Sequence, residues 1–195
     1  MGRAWRQNRP VTVAETERTL IRLWQPGEAA RMFDMHRRWE VARWLGSDPQ
    51  PMQSIEQAQA SIQRWREFAT RDPRYGLWAV EEKAATGPET RVAGSVLLVP
   101  LPLSSGGVGD DVEIGWQFHP DAWGRGLATE AARALLGYAE SAHRLASVIA
   151  TVDPDNLASQ RVLAKAGMQR GALRDEDDGS RTQFFHWRPS AGDEA

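Results

Sequence analysis

No cysteine occurs in the 195 residues. That absence excludes disulfide scaffolds, Cys-ligated zinc or iron–sulfur sites, and a Cys nucleophile. Long apolar runs are lacking too. The longest, Val96 to Leu103, is broken by Pro100 and Pro102. It falls far short of the roughly 20 residues that cross a bilayer. Neither sign of charge dominates: 24 Lys and Arg face 26 Asp and Glu, for a net charge of -2. A nucleic-acid binder shows a basic excess or stripe, so that partner class is set aside. Lysine is scarce, with Lys83 and Lys165 the only two, and no function follows from that. Met1 to Pro10 carries Arg3, Arg6 and Arg9 with no apolar stretch behind it, so no signal peptide is expected. Arg6 stands where myristoylation needs Ser or Thr. The expected setting is cytoplasmic, with no membrane partner and a single domain.

No repeat is present. Residues 1–17 read as a loose leader, 18–188 as the domain and 189–195 as a disordered tail. Arg18 to Trp24 reads as a strand, and Pro26 opens a helix through about Trp39. A second helix starts after Ser54 and is stopped by Asp72-Pro73. Gly76 to Glu82 and Val92 to Val99 are β-type runs around a hairpin connector, Ala84 to Thr90. Pro100 to Asp110 reads as a mobile loop, and Asp111 to Phe118 as the next strand. From Leu127 the sequence is strongly amphipathic, with Leu127, Ala131, Leu135 and Ala139 on one stripe. Ser147 to Val152 is a short buried strand, and Asn156 caps a helix that Gly167 ends. Met168 to Arg174 and Thr182 to Arg188 form a last strand pair. This order predicts a mixed α/β sheet with helices packed on it.

Trp123-Gly124-Arg125-Gly126-Leu127-Ala128-Thr129 leads from a strand into a helix start. Unpaired amides and the helix dipole attract anions there. Two glycines let a phosphate approach the backbone closely. A plain helix-start loop with turning glycines reads the same way, and local physics leaves both open. Gly-Lys-Ser/Thr is missing, which removes the Walker loop. The dinucleotide pattern fails at Thr129.

Four stretches together resemble a known family: ETERTLIRLWQPGEAARMF, YGLWAVEE, DVEIGWQFHPDAWGRGLATEAARALLGYA and VDPDNLASQRVLAKAGM. They are similar to the GNAT N-acetyltransferases, and within them to the RimJ/RimL-like branch, across roughly Glu15 to Arg174. The resemblance implies a GNAT fold with a mixed six- to seven-stranded sheet, about four helices and splayed fourth and fifth strands. It implies acetyl-coenzyme A as cofactor, paired like an added strand along Trp116, Gln117 and Phe118. The pyrophosphate would rest on Trp123, Gly124, Arg125, Gly126, Leu127, Ala128 and Thr129, more through backbone than through the Trp123 side chain.

Acetyl transfer needs a neutral amine, a donor for the oxyanion and a proton for the leaving thiolate. The resemblance places the oxyanion donor near the Trp116 or Gln117 amide. It makes Ser159 the leaving-group donor, with Asn156 holding the cofactor or orienting Ser159. Without it, Asn156 is a plain helix cap. Glu113, two residues before Gly115, is the candidate base, by itself or through water. His119 is a rival base, though His119-Pro120 more readily shapes the loop. His36, His143 and His186 are scattered and read as structural, so no metal is expected. The resemblance also puts Trp44 and Leu45 in the wall of the acceptor entrance.

The expected function is transfer of acetyl to a primary amine, in a protein N-terminus or a small molecule, without a covalent enzyme intermediate. A homodimer suits this branch. Two other classes remain open: a regulatory coenzyme A-binding module without catalysis, and an interaction domain that kept only the fold.

Overall fold

The computed structural model describes residues 12–46, 48–83, 91–102, 108–176 and 179–189. Strands β1 (Thr12–Glu15) and β2 (Thr19–Arg22) fold back on each other as an antiparallel pair. Thr12–Glu15 therefore corrects part of the expected loose leader. It pairs because Thr16 closes the turn, with its amide and hydroxyl both donating to the Thr19 carbonyl. Residues 1–11 lie outside the described residues, as does the tail from 190.

A 3-10 turn over Pro26–Glu28 leads into α1 (Ala29–His36). The helix expected to reach Trp39 breaks earlier. Arg38 turns extended and its side chain donates to the Asp34 carbonyl, and α2 (Trp39–Ala42) starts afresh. Helix α3 (Ile55–Arg71) begins where expected, with the Ser54 hydroxyl accepting from the Gln57 amide at 3.3 Å.

Strands β3 (Gly76–Glu82), β4 (Arg91–Pro102) and β5 (Val108–Phe118) follow as an antiparallel run. The expected loop over Pro100–Asp110 is thus shorter at both ends. Pairing of β4 with β3 stops at Leu98. Beyond it β4 is an edge on that side, where a missing proline N–H costs no ladder bond. Residues 84–90 and 103–107 lie outside the described residues. Then come α4 (Leu127–Ser141), β6 (Val148–Val152), α5 (Leu157–Lys165), β7 (Gln169–Asp175) and β8 (Arg181–Trp187).

All eight strands join one sheet in the order β1-β2-β3-β4-β5-β6-β8-β7. Every neighbouring pair is antiparallel except β5 with β6, which is parallel. The mixed α/β reading holds, with eight strands and five helices among the described residues in place of six or seven and about four. The extra elements come from the β1–β2 turn and the break at Arg38. One face of the sheet packs Ile21, Trp78, Val96, Ile114, Ala150 and Phe185 against Leu135 of α4 and Leu163 of α5. The opposite face packs Leu77 and Ala79 against Met32 of α1 and Ile62 of α3.

Arg22 lies in that second layer, 2% exposed. It donates to Glu28 at 2.9 Å and to Glu81 at 2.5 Å, tying the turn before α1 to β3. Removing one partner of a buried ion group leaves the others uncompensated. Arg22→Ala is expected to destabilise by about 3 kcal/mol in denaturant unfolding. A loss under about 1 kcal/mol would instead rank the triad with surface pairs.

Candidate functional site

Strand β5 pairs with β4 along most of its length, but among the described residues it pairs with β6 only at Glu113 and Ile149. Beyond that point the two parallel strands diverge toward their carboxyl ends. The chain leaves β5 into the start of α4 and β6 into the start of α5, so two helix N-termini flank one opening. In α/β sheets ligands bind outside the carboxyl ends of strands where connections part.

The edge of β5 can be assigned group by group. The His119 amide donates to the Ala93 carbonyl of β4 at 2.9 Å. Alternation then turns the backbone of Gln117 and Gly115 to β4, and that of Ile114, Trp116 and Phe118 to the gap. The Trp123 indole donates to the Phe118 carbonyl at 2.7 Å. Trp116 is left presenting its N–H and C=O to the gap. Of the two amides expected for an oxyanion, that of Trp116 faces the opening and that of Gln117 does not.

The loop of Trp123 to Gly126 is exposed. Gly124 and Gly126 hold φ of +73 and +80, the left-handed region that side chains disfavour. Gly126 is the N-cap of α4, and no side chain caps that helix. The first-turn amides at Leu127, Ala128 and Thr129 are thereby left to an outside acceptor. The Arg125 side chain turns away to Glu82, with one nitrogen at 2.9 Å, so that residue offers its backbone. Arg18 braces the loop: it donates to the Arg125 carbonyl at 2.9 Å and to the Glu130 carboxylate at 2.7 Å. Thr16 also bonds Glu130, at 2.5 Å. Burial pushes the Glu130 carboxyl up, but the Thr16 and Arg18 bonds outweigh it and hold it below its ordinary value. A groove of about 440 Å³ continues from the loop, lined by Thr16, Arg18, Gly126, Thr129, Glu130, Arg133 and Lys165.

At the other helix start, Asn156 is buried and its side-chain oxygen accepts from the Ser159 amide at 3.0 Å. It is therefore the N-cap of α5. Ser159 shares a stripe with Leu163 and Ala166, both in the core. It is partly buried in the first turn of α5, the helix that follows the carboxyl end of β6.

Glu113, Gly115 and Gln117 stand on the α1 side of the sheet. Thr151 of β6 hydrogen-bonds Glu113 across the gap. Gln117 meets His36 of α1, whose Nε2 lies 3.1 Å from the carboxamide oxygen and whose Nδ1 bonds the Met32 carbonyl. Burial pushes the His36 pKa down. His119, buried at the end of β5, has Nε2 at 2.9 Å from Asp34 of α1 and Nδ1 at 2.9 Å from Asp121. The Arg37 bond, with His119 and Arg38, lowers the Asp34 pKa to about 2 from 3.8. This tie between α1 and the loop is whole above the ordinary carboxylate range and is lost as pH falls through that lower value. His119 shapes the loop rather than opening onto the gap.

Trp44 and Leu45 lie in the turn after α2, with the Arg43 guanidinium 4.3 Å from the Trp44 ring centroid. No group of three or more metal-ligating side chains occurs among the described residues. Sequence reasoning missed Thr16, Arg18 and Thr151. Each acts through a partner at least 38 positions away, and no local pattern encodes such a pairing.

Comparison with known proteins bears on the family and the fold. Residues 18–169 match the family model described as "Acetyltransferase (GNAT) domain". The uncharacterized N-acetyltransferase YoaA of Bacillus subtilis is 30% identical over 164 residues, covering 83% of this chain and 86% of that protein. The structure of a GNAT-family acetyltransferase from Bacillus anthracis superposes with a TM-score of 0.75 at 22% identity, covering 90% of this chain and 97% of that one. RimL, a ribosomal L7/L12 α-N-protein acetyltransferase solved with coenzyme A, gives 0.73 at 12% identity, covering 91% and 97%.

Proposed function

The chain belongs to the GNAT acetyltransferase family, and from that membership we propose that it moves acetyl from acetyl-coenzyme A to a primary amine by direct attack in a ternary complex. One observation carries the reading: the uncapped start of α4, behind two left-handed glycines, opens onto the gap between β5 and β6. A Cβ at Gly124 meets nothing within 4 Å, so space for a phosphate lies against the backbone.

Bound there, acetyl-coenzyme A supplies an electrophilic thioester carbonyl and a thiol leaving group. The amides from Gly124 to Thr129 hold its phosphates, with the helix dipole favouring the charge. Arg133 and Lys165 of the adjoining groove add cationic contacts. The Trp116 backbone, whose N–H and C=O face the gap, would pair with the pantetheine arm, and its N–H would be the donor offered to the thioester oxygen. Glu113 takes the proton from the amine, while Thr151 fixes its carboxylate. The Ser159 hydroxyl donates to the departing sulfur, and Asn156 orients Ser159. Trp44 and Leu45 wall the acceptor side. The lack of cysteine suits this route and a cytoplasmic setting. The RimJ/RimL-like stretches favour that branch of the family.

A thermal melt tests the cofactor. Acetyl-coenzyme A at 100 times its Kd adds about 2.7 kcal/mol, hence a rise of about 5 to 10 °C. ATP and NAD are expected to give none. Release of thiol with amines then tests turnover. No rise at millimolar acetyl-coenzyme A would overturn the reading.

A further inference from the structure

On the α1 side, the strands beyond the gap carry Phe184, His186 and Arg174, which the chemistry above does not use. Thr151, bonded to Glu113, stands in register with Phe184 of β8, and Ile149 with His186. Cross-strand partners share a face, so Phe184 and the exposed His186 stand on this one. Arg174 of β7 lays its guanidinium over the Phe184 ring, 4.3 Å from the centroid. Its chain neighbours Leu173 and Asp175 register with Gln183 and Arg181 and point to the opposite face. Asp175, the last residue of β7, therefore points away from this row.

The row runs from a carboxylate at Glu113 to a guanidinium at Arg174. Between them the floor is Gly115, Ile149, Thr151 and Phe184, none of them charged, and His186 stands next to Ile149 on the same face. Gly115 adds no side chain, so a molecule lies close to β5 beside the Trp116 backbone. Two fixed charges of opposite sign across an uncharged floor complement a zwitterion. A polyamine calls for acids at both ends, and an uncharged peptide N-terminus leaves a fixed cation without purpose. Stacking on Phe184 holds the guanidinium plane, and a planar fork matches a carboxylate with two bonds. Glu113 and Arg174 start from strands three places apart, but the Glu113 carboxylate reaches in to Thr151 and the Arg174 guanidinium to Phe184. Those two are cross-strand partners on strands about 4.8 Å apart, which suits an occupant with a few covalent bonds between its charged ends.

We propose that the acceptor is a small amine carrying a carboxylate, an amino-acid-like molecule, with its amine at Glu113 and its carboxylate on Arg174. This rests on the acetyltransferase reading above. The chemistry is the same transfer: the N–C bond to acetyl forms, the C–S bond breaks, the amine proton passes to Glu113, and the sulfur, hydrogen-bonded by the Ser159 hydroxyl, leaves as a thiol when that proton is returned to it through Ser159, which ends as a hydroxyl again.

The test is thiol release with the twenty free amino acids, their C-terminal amides and putrescine. At least one acid is expected to exceed its own amide in kcat/KM by about ten- to a hundredfold, the worth of a charge-assisted pair. Arg174→Gln should collapse that preference through the acceptor KM with kcat kept, and Arg174→Lys should restore part of it. Equal turnover of acid and amide, preference for putrescine, or a preference that survives Arg174→Gln would each overturn the proposal. So would no turnover of any acid by protein that melts higher with acetyl-coenzyme A. A melt unchanged by acetyl-coenzyme A overturns the acetyltransferase reading instead, which separates the two failures.

Discussion

Replacing Gly126 by glutamate is expected to raise the Kd for acetyl-coenzyme A at least about a hundredfold, the worth of two charge-assisted hydrogen bonds. Three effects combine. Gly126 holds φ +80, where any side chain costs about 1–2 kcal/mol. Its new carboxylate stands at the anion-attracting end of α4 and repels the phosphates. A Cβ there also comes 3.5 Å from Arg18, so the glutamate competes with Glu130 for the guanidinium that braces the loop. Gly126→Ala separates strain from charge. It shares the backbone cost and a lower Tm, yet is expected to keep the Kd within about tenfold. Titration of both variants by calorimetry checks this. A folded Gly126→Glu protein that binds acetyl-coenzyme A like the parent would remove the loop from the cofactor site.

Glu113→Gln is the second large effect, and it falls on turnover rather than binding. A general base contributes about a hundred- to ten-thousandfold, and kcat is expected to fall within that range. The amide keeps the shape and still accepts from the Thr151 hydroxyl, so the strand pairing at Glu113 and Ile149 has no reason to open. Tm and the KM for acetyl-coenzyme A are therefore expected to stay put. Thr151→Val adds a readout specific to the carboxylate. Without the donated hydrogen bond the carboxylate is no longer held in place, and kcat is expected to fall while the KM for acetyl-coenzyme A stays put. A kcat within a few-fold of the parent would assign the proton to a water chain instead.

Much of this was legible in the chain. The α4 stripe of Leu127, Ala131, Leu135 and Ala139 is buried as its period requires. Ser54 and Asn156 cap α3 and α5 because a short polar side chain before an apolar stripe has a nearby amide to satisfy. Gly124 and Gly126 marked a turning loop open to close approach, and the structure gives both left-handed backbone, which glycine takes without strain. Such features depend on neighbours within a few residues. By contrast, the break of the first helix at Arg38 was hidden, because it turns on a side chain reaching back to a carbonyl.

The sequence by itself therefore determined the element order, the caps, the amphipathic faces and the glycine cradle, all set by local sterics and period. Tertiary structure alone decided the rest. It set which edge groups of β5 face the gap, because register is fixed by pairing with β4. It brought Thr151 to Glu113, Arg18 to Glu130 and Arg22 between Glu28 and Glu81, because charges far apart in the chain meet only when the sheet is assembled. It also aligned Arg174 with the open face, since alternation along β7 is interrupted by a register shift between Arg170 and Leu173 that no local pattern marks.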